Sequence, residues 1–197
     1  MSGPFKGVRV LELTSTVSGP FAGMMLADQG AEVIKIEPPG IGDLARFMGT
    51  IKDGMGAMFS TLNRNKKCIC LDFKNEEDLS VLMQLVSTAD ILIENYRPGI
   101  VKKLGIDYET LKEIKPDLIY CSISGYGQTG PYKEKKVYDP LIQGTVGIPH
   151  AQNSEFPELI RTIIYDKVTG LTSAQAISAA LYQKANGEGG QYLPVSM

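Results

Sequence analysis

The chain has 197 residues, 43% of them hydrophobic and 21% charged, with a formal net charge of −2. This balance allows one well-filled globular core and argues against a nucleic-acid partner, which needs a basic surface field. No apolar run approaches the roughly 20 residues of a bilayer-crossing helix, and the N-terminus MSGPFKGVRVLEL lacks a signal-peptide layout, so no membrane partner and a cytoplasmic location are expected.

The elements follow in chain order. Residues 8–13 read as a buried strand, 19–29 as a helix stopped by Gly30 in the left-handed conformation, and 32–37 as the next strand. This βαβ pattern repeats. Residues 68–73 are strand-like, and 75–87 form a helix with Asn75 as N-cap. Residues 90–94 form a strand, 107–114 a short helix stopped by Pro116, and 118–124 another strand. The glycine-rich stretch 125–131 is a loop at the end of that strand, where open α/β sheets place ligands. Residues 169–184 form a helix rich in small residues, 187–190 a turn, and 191–196 a further strand. The expected fold class is α/β, a Rossmann-like open parallel sheet with flanking helices. A strand without its following helix suggests a truncated chain, the N-terminal part of a larger domain.

Chemistry must run on few residue types. The only histidine is His150, which removes most metal centres and histidine-assisted triads, and no CxxC pair or phosphate-binding GxxxxGK[ST] loop occurs. Cys68, Cys70 and Cys121 lie in apolar strand-like contexts and are expected as buried thiols of a reducing compartment. Gly19 and Gly23 do not complete GxGxxG, so they are read as sites of close helix-to-sheet packing.

Bases recur after successive strands: Arg64, Lys66, Lys67 and Lys74, then Arg97, Lys102 and Lys103, then Lys133, Lys135 and Lys136. At the carboxyl ends of parallel strands they suit a phosphorylated ligand. Asp166, in an apolar stretch before the small-residue helix, is open to two readings. One is a helix N-cap; the other is a nucleophile kept ionised by helix-terminal amides.

Five stretches together resemble the family III CoA-transferases: RVLELTSTVSGPFAGMMLADQGAEVIKIE (9–37), NRNKKCICLDFKNEED (63–78), ENYRPGIVKKLGIDYETLKEIKPDLIYCSISGYGQTGPY (94–132), KVYDPLIQGTVG (136–147) and YDKVTGLTSAQAISAALYQKANGEGGQ (165–191). The resemblance implies an acyl-CoA:carboxylate CoA-transferase with Asp166 as nucleophile. It also implies CoA contacts at Val17 and Ser18, at Leu71, Asp72, Phe73 and Lys74, at Asn95, Tyr96 and Arg97, at Lys103, and at Lys136, Val137, Tyr138 and Asp139. Pro38 departs from the arginine that some members carry beside the adenine.

The racemase branch carries a histidine where this chain reads KVYDPLIQ, which favours a transferase; a racemase or lyase, and a non-catalytic CoA-binding fragment, are the alternatives. The implied partners are an acyl-CoA and a carboxylic acid, with CoA a substrate and neither a permanently bound cofactor nor a metal required. An interlocked homodimer is implied for the full-length form, as are a smaller domain and a C-terminal return lying beyond residues 1–197.

Overall fold

The computed structural model describes residues 2–197. In chain order the elements are β1 (Arg9–Leu13), α1 (Ser18–Asp28), β2 (Glu32–Glu37), a 3-10 turn (Leu44–Phe47), a small hairpin of β3 (Ile51–Lys52) and β4 (Met55–Gly56), α2 (Ala57–Leu62), β5 (Lys66–Cys70), α3 (Glu76–Ser87), β6 (Ile91–Glu94), α4 (Ile100–Lys103), α5 (Tyr108–Ile114), β7 (Ile119–Ser124), α6 (Asp139–Thr145), α7 (Ile148–Gln152), α8 (Ile164–Ala185) and β8 (Gln191–Ser196). The main sheet has six strands in the order β5-β2-β1-β6-β7-β8, every pair parallel.

Helices cover both faces, so β6 and β7 are buried at every position, as parallel strands between two helical layers must be. On one face Val10, Ile91, Ile93 and Ile119 pack against Leu26 of α1 and Ile177 of α8. On the other, Leu11, Leu92 and Tyr120 meet Leu82 of α3 and Leu111 of α5. The chain builds outward from β1 through β2 to β5, then crosses back to lay β6 on the other side of β1. The order therefore reverses between β1 and β6, and the crevice beyond their carboxyl ends is where open α/β sheets bind ligands.

Four buried charges fasten the β1 side of that crevice. Lys35 Nζ lies 2.9 Å from Glu12 Oε1 and 2.9 Å from Asp43 Oδ2, Lys66 Nζ lies 2.6 Å from Glu12 Oε2, and all four side chains are fully buried. Burial alone would raise the Glu12 carboxyl, but Lys66 and Lys35 outweigh it and hold the group below the usual carboxylate range. α1 can lie over these charges because Gly23 has no side chain: a Cβ there would come within 1.9 Å of Glu12 Oε2. The packing role read for Gly19 and Gly23 holds, since a Cβ at Gly19 would meet the Thr14 side chain at 2.4 Å.

Several expectations need correction. The third strand of the sheet runs over Lys66–Cys70, and Leu71 to Lys74 form the turn into α3. Cys68 and Cys70 are exposed, and only Cys121 is buried; β5 is the edge strand of the sheet, so its neighbours cover these two positions only in part, Cys68 lying beside Glu37 and Arg46. Lys66 is no phosphate ligand: besides Glu12 it donates to Pro20 O at 2.8 Å and Asn63 Oδ1 at 2.9 Å. Arg64 pairs with Asp28, and Lys67 with Glu32 at 2.7 Å. By contrast Asn75 caps α3 by accepting from the Glu77 amide, and Asp107 caps α5.

Removing one member of a buried charge cluster strands the others. Lys35→Met is therefore expected to cost about 3–5 kcal/mol of unfolding free energy, read from urea denaturation. Lys67→Met, whose partner Glu32 is at the surface, should cost less than about 1 kcal/mol. Equal small losses in both variants would show that the cluster does not hold the sheet.

Candidate active site

A cavity of about 280 Å³ opens at the reversal point. The turn after β1 supplies Ser15, Thr16, Val17 and Ser18; the turn after β6 supplies Asn95, Tyr96, Arg97 and Pro98; the end of β7 supplies Ile123, Ser124 and Gly125. Lys133, Lys135, Lys136, Val137 and Tyr138 come from the segment leading to α6, with Leu44, Asp166 and Met197 completing the wall.

The first turn is held from below. Asp43 Oδ1 accepts from the Thr16 amide at 2.9 Å and from the Ser15 hydroxyl at 3.0 Å, while Lys35 donates to Thr14 O at 2.8 Å. Thr16 sits at φ +75°, a conformation costly for a β-branched residue that persists only where surrounding bonds over-determine it. Asn95 ties this turn to the next: its Oδ1 accepts from the Ser15 amide at 3.0 Å and its Nδ2 donates to Ser15 O at 2.9 Å. Its amide group is thus engaged by the scaffold, although Asn95 was expected as a ligand contact.

Asp166 occupies the first turn of α8, which begins at Ile164, five residues before the expected start. Asp166 is consequently not the cap. That role falls to Asp139, whose Oδ2 accepts from the Tyr165 amide at 2.5 Å and the Asp166 amide at 3.1 Å. Gln143 braces the arrangement, bonding Asp139 Oδ1 and accepting from the Ile160 amide at 2.8 Å.

The freed Asp166 carboxylate turns to α1, whose N-terminus has no side-chain cap of its own, and lies close enough to Ser18 for the Ser18 amide and hydroxyl to favour its charged form. Gly170 permits this crossing, because a Cβ there would meet Ser18 O at 2.8 Å. Burial first, and the nearby Asp139 second, push the Asp166 carboxyl up to about 6 against the pull of Ser18. It is thus mostly ionised at neutral pH while sitting in a partly dry wall, a combination that suits a carboxylate nucleophile.

The structure brings Val17, Ser18, Asn95, Tyr96, Arg97, Lys136, Val137, Tyr138 and Asp166 to one cavity. It does not bring Leu71, Asp72, Phe73, Lys74 or Lys103 to the wall. Leu71 packs into the core under α3, and the Lys74 amide donates to Asp72. Asp139 is buried behind the wall as the helix cap. Exposed His150 lies in α7 away from the cavity. Sequence reasoning missed the Asp43 and Lys35 supports and the capping by Asp139; a DP dipeptide opening a helix is at most a local start signal and says nothing of a helix 26 residues on.

Among the described residues no group of three or more His, Cys, Asp or Glu side chains is placed to hold a metal, and no helix is long and apolar enough to cross a membrane. A model of CoA-transferase family III matches residues 5–197. The chain is 40% identical to the acetyl-CoA:oxalate CoA-transferase of Acetobacter aceti over 99% of its own length and 51% of the relative's. It is 41% identical to the human succinyl-CoA:glutarate CoA-transferase, covering 92% of this chain and 42% of the relative. A crystal structure of a CAIB/BAIF family protein from Brucella suis superposes with a TM-score of 0.93 at 41% identity, covering 100% of this chain and 53% of that one. The chain spans about half the length of the relatives it matches.

Carbon-13 NMR of labelled aspartate should find Asp166 titrating near pH 6. In Asp139→Asn its midpoint should fall, because a like charge is removed while Asn still accepts the α8 amides. Since the folded value lies above the ordinary 3.8, the stability linked to this group is fully present below about pH 4 and is lost as pH rises through 6. A midpoint near 4 in both proteins would refute the electrostatic reading of the site.

Proposed function

The chain belongs to CoA-transferase family III, and from that premise we propose that its cavity is the CoA-handling half of an active site moving CoA from an acyl thioester to a carboxylic acid. The observation that carries the reading is the Asp166 carboxylate, set beside Ser18 in the wall of a cavity rimmed by Arg97, Lys133, Lys135 and Lys136. The bases attract the phosphates of CoA, and burial of Asp166 strips water from its carboxylate.

In the proposed cycle an Asp166 oxygen attacks the thioester carbonyl; the C–S bond breaks, giving a mixed anhydride and CoA thiolate. The thiolate attacks the aspartyl carbonyl, the donor leaves as a carboxylate, and an aspartyl-CoA thioester remains. The acceptor carboxylate then attacks that thioester, forming a second anhydride and again releasing CoA thiolate. Attack of the thiolate on the acceptor carbonyl yields the new acyl-CoA and regenerates Asp166. Each step exchanges one activated acyl bond for another, so the cycle needs no external energy source. The named acceptors of the relatives, oxalate and glutarate, make short dicarboxylic acids the first acceptors to test. A racemase would need a second proton-transfer base, and the neighbour of Asp139 is Tyr138 instead of histidine.

The test compares this chain, alone and extended by the C-terminal part of the human relative, with succinyl-CoA as donor and glutarate or oxalate as acceptor. Asp166→Asn should reduce transfer by several orders of magnitude while CoA binding persists. Borohydride added during turnover should mark the peptide containing residue 166. The acylation rate should fall as pH drops through about 6, where Asp166 gains its proton. Full transfer by the Asn variant would overturn the mechanism.

Binding can be tested separately by calorimetry. Arg97→Ala should weaken CoA about ten- to hundredfold, the scale of a charge-assisted hydrogen bond, whereas Lys74→Ala should change it by less than about threefold, since Lys74 does not reach this wall. Equal effects would place the phosphates elsewhere.

A further inference from the structure

Glu94 is a buried carboxyl that the proposed cycle does not use. It ends β6, stands in register with Leu13 of β1 and Ser122 of β7, and is 1% exposed. Its Oε2 accepts from the Tyr96 amide at 2.8 Å. Ser122, its register partner on β7, brings its hydroxyl beside the same carboxyl and accepts from Gln128 Nε2 at 2.9 Å, which leaves the Ser122 proton free to point at Glu94. The bonds thus form one directed chain, Gln128 to Ser122 to Glu94, with Tyr96 joining from the other side. Tyr96 belongs to the turn 95–98 and Gln128 to the loop 125–131, the two segments that flank the cavity after β6 and β7.

We propose that Glu94 is a positioning residue that fastens the turn after β6 to the glycine-rich loop after β7 through Ser122, so that these two walls of the cavity are set together. That the walls hold CoA rests on the function proposed above; the latch itself does not.

Glu94 takes part in none of the ion pairs among the described residues. β1 presents Leu13 in register, and α3 and α5 present Leu82, Val86 and Leu111 on that face. The titratable groups that feel Glu94 are the phenols of Tyr96 and Tyr120 and the thiol of Cys121. Lys35 acts on Tyr96 but is already paired with Glu12 and Asp43.

Desolvation accordingly pushes the Glu94 carboxyl up to about 7, with Ser122 and the Tyr96 amide pulling the other way. Ionised, it accepts both bonds with charge assistance and the latch is tight; protonated, it accepts them more weakly. The fold as a whole responds in the opposite sense. Stability linked to a neutral Glu94 is fully present below about pH 4.5 and is lost as pH rises through 7.

Hydrogen exchange read by mass spectrometry, corrected for intrinsic rates, tests the latch on this chain. The turn 95–98 and the loop 125–131 should be several-fold better protected at pH 8 than at pH 6, and Glu94→Gln should abolish that difference. Ser122→Ala and Gln128→Ala should each loosen the loop and leave the turn protected; these two also carry the test should the Glu94 variant fail to fold. Glu94→Gln should melt at a higher temperature than the parent at pH 8 and at the same temperature at pH 5, a pattern that a neutral packing role would not produce. A wild-type pH dependence in Glu94→Gln, or unchanged loop protection in both Ser122→Ala and Gln128→Ala, overturns the proposal. CoA titration of the parent chain separates the two readings: absence of CoA binding would refute the CoA assignment and leave the exchange result standing.

Discussion

The bond between Lys35 and Glu12 is the constraint on which the site depends. Both side chains are fully out of water, so each can stay charged only with an opposite charge against it. The pair cannot close on itself either, because Glu12 has a second oxygen, which Lys66 takes, and Lys35 a second acceptor, which Asp43 takes. The demand for partners therefore spreads across β1, β2, β5 and the segment after β2. Asp43 has one oxygen left, and it takes the Thr16 amide, the Ser15 hydroxyl and the Ala45 amide. The backbone of the first βα turn is held at an unfavourable φ by a charge cluster whose own pairing requires it. A buried network of this kind adds little net stability over an apolar core but punishes any alternative arrangement. That is the property wanted beneath a turn that must hold Ser18 against Asp166.

A second economy governs the nucleophile candidate. Every helix begins with unsatisfied amides, and two helices begin here. Asp139 satisfies the first amides of α8, which leaves the Asp166 side chain free of its own helix and able to serve α1. The cost is a like charge behind Asp166, and that charge helps to lift its carboxyl toward neutrality. The acid that orients the helix therefore also tunes the acid that faces the cavity.

The parallel strands and α1 were legible because their apolar runs and glycine stops are local signals. Residues 32–37 and 191–196 match β2 and β8, and Asn75 caps α3 as its position suggests. Misjudged residues depend on neighbours distant in sequence. Lys66 looks like any lysine beside a strand, and only the pleat of β5, set 33 residues after its β2 partner Val33, turns it onto Glu12. Cys68 and Cys70 look like core residues because apolar context suggests burial, whereas edge position decides it. Asp166 is a plausible cap by composition, and the start of α8 at Ile164 became visible only with Asp139 in place. Of the residues the family resemblance implies, Val17, Ser18, Asn95 to Arg97 and Lys136 to Tyr138 line the cavity, whereas Leu71 to Lys74 and Lys103 lie off its wall.

Glu12 and Glu94 show how one side-chain type acquires two behaviours in adjacent strands. Each is buried near the carboxyl end of its strand, on opposite faces of the sheet. Glu12 meets two ammonium groups, whose fields exceed the cost of desolvation, and stays charged. Glu94 meets a hydroxyl and one amide, which do not, and it titrates near neutrality. The wall built on Glu12 is accordingly fixed across the physiological pH range. The wall built on Glu94 exchanges a charge for a proton within it, and Asn95 joins the two by bonding both backbone groups of Ser15. A change in how Glu94 holds Tyr96 is therefore transmitted first to the neighbouring Asn95 and Arg97, while Thr16 and Ser18 remain held by Asp43 and by the helix they begin. The cavity thus sets Ser18 and Asp166 on a side fastened by fixed charges and Arg97 on a side fastened by a carboxyl whose burial lifts it to about 7.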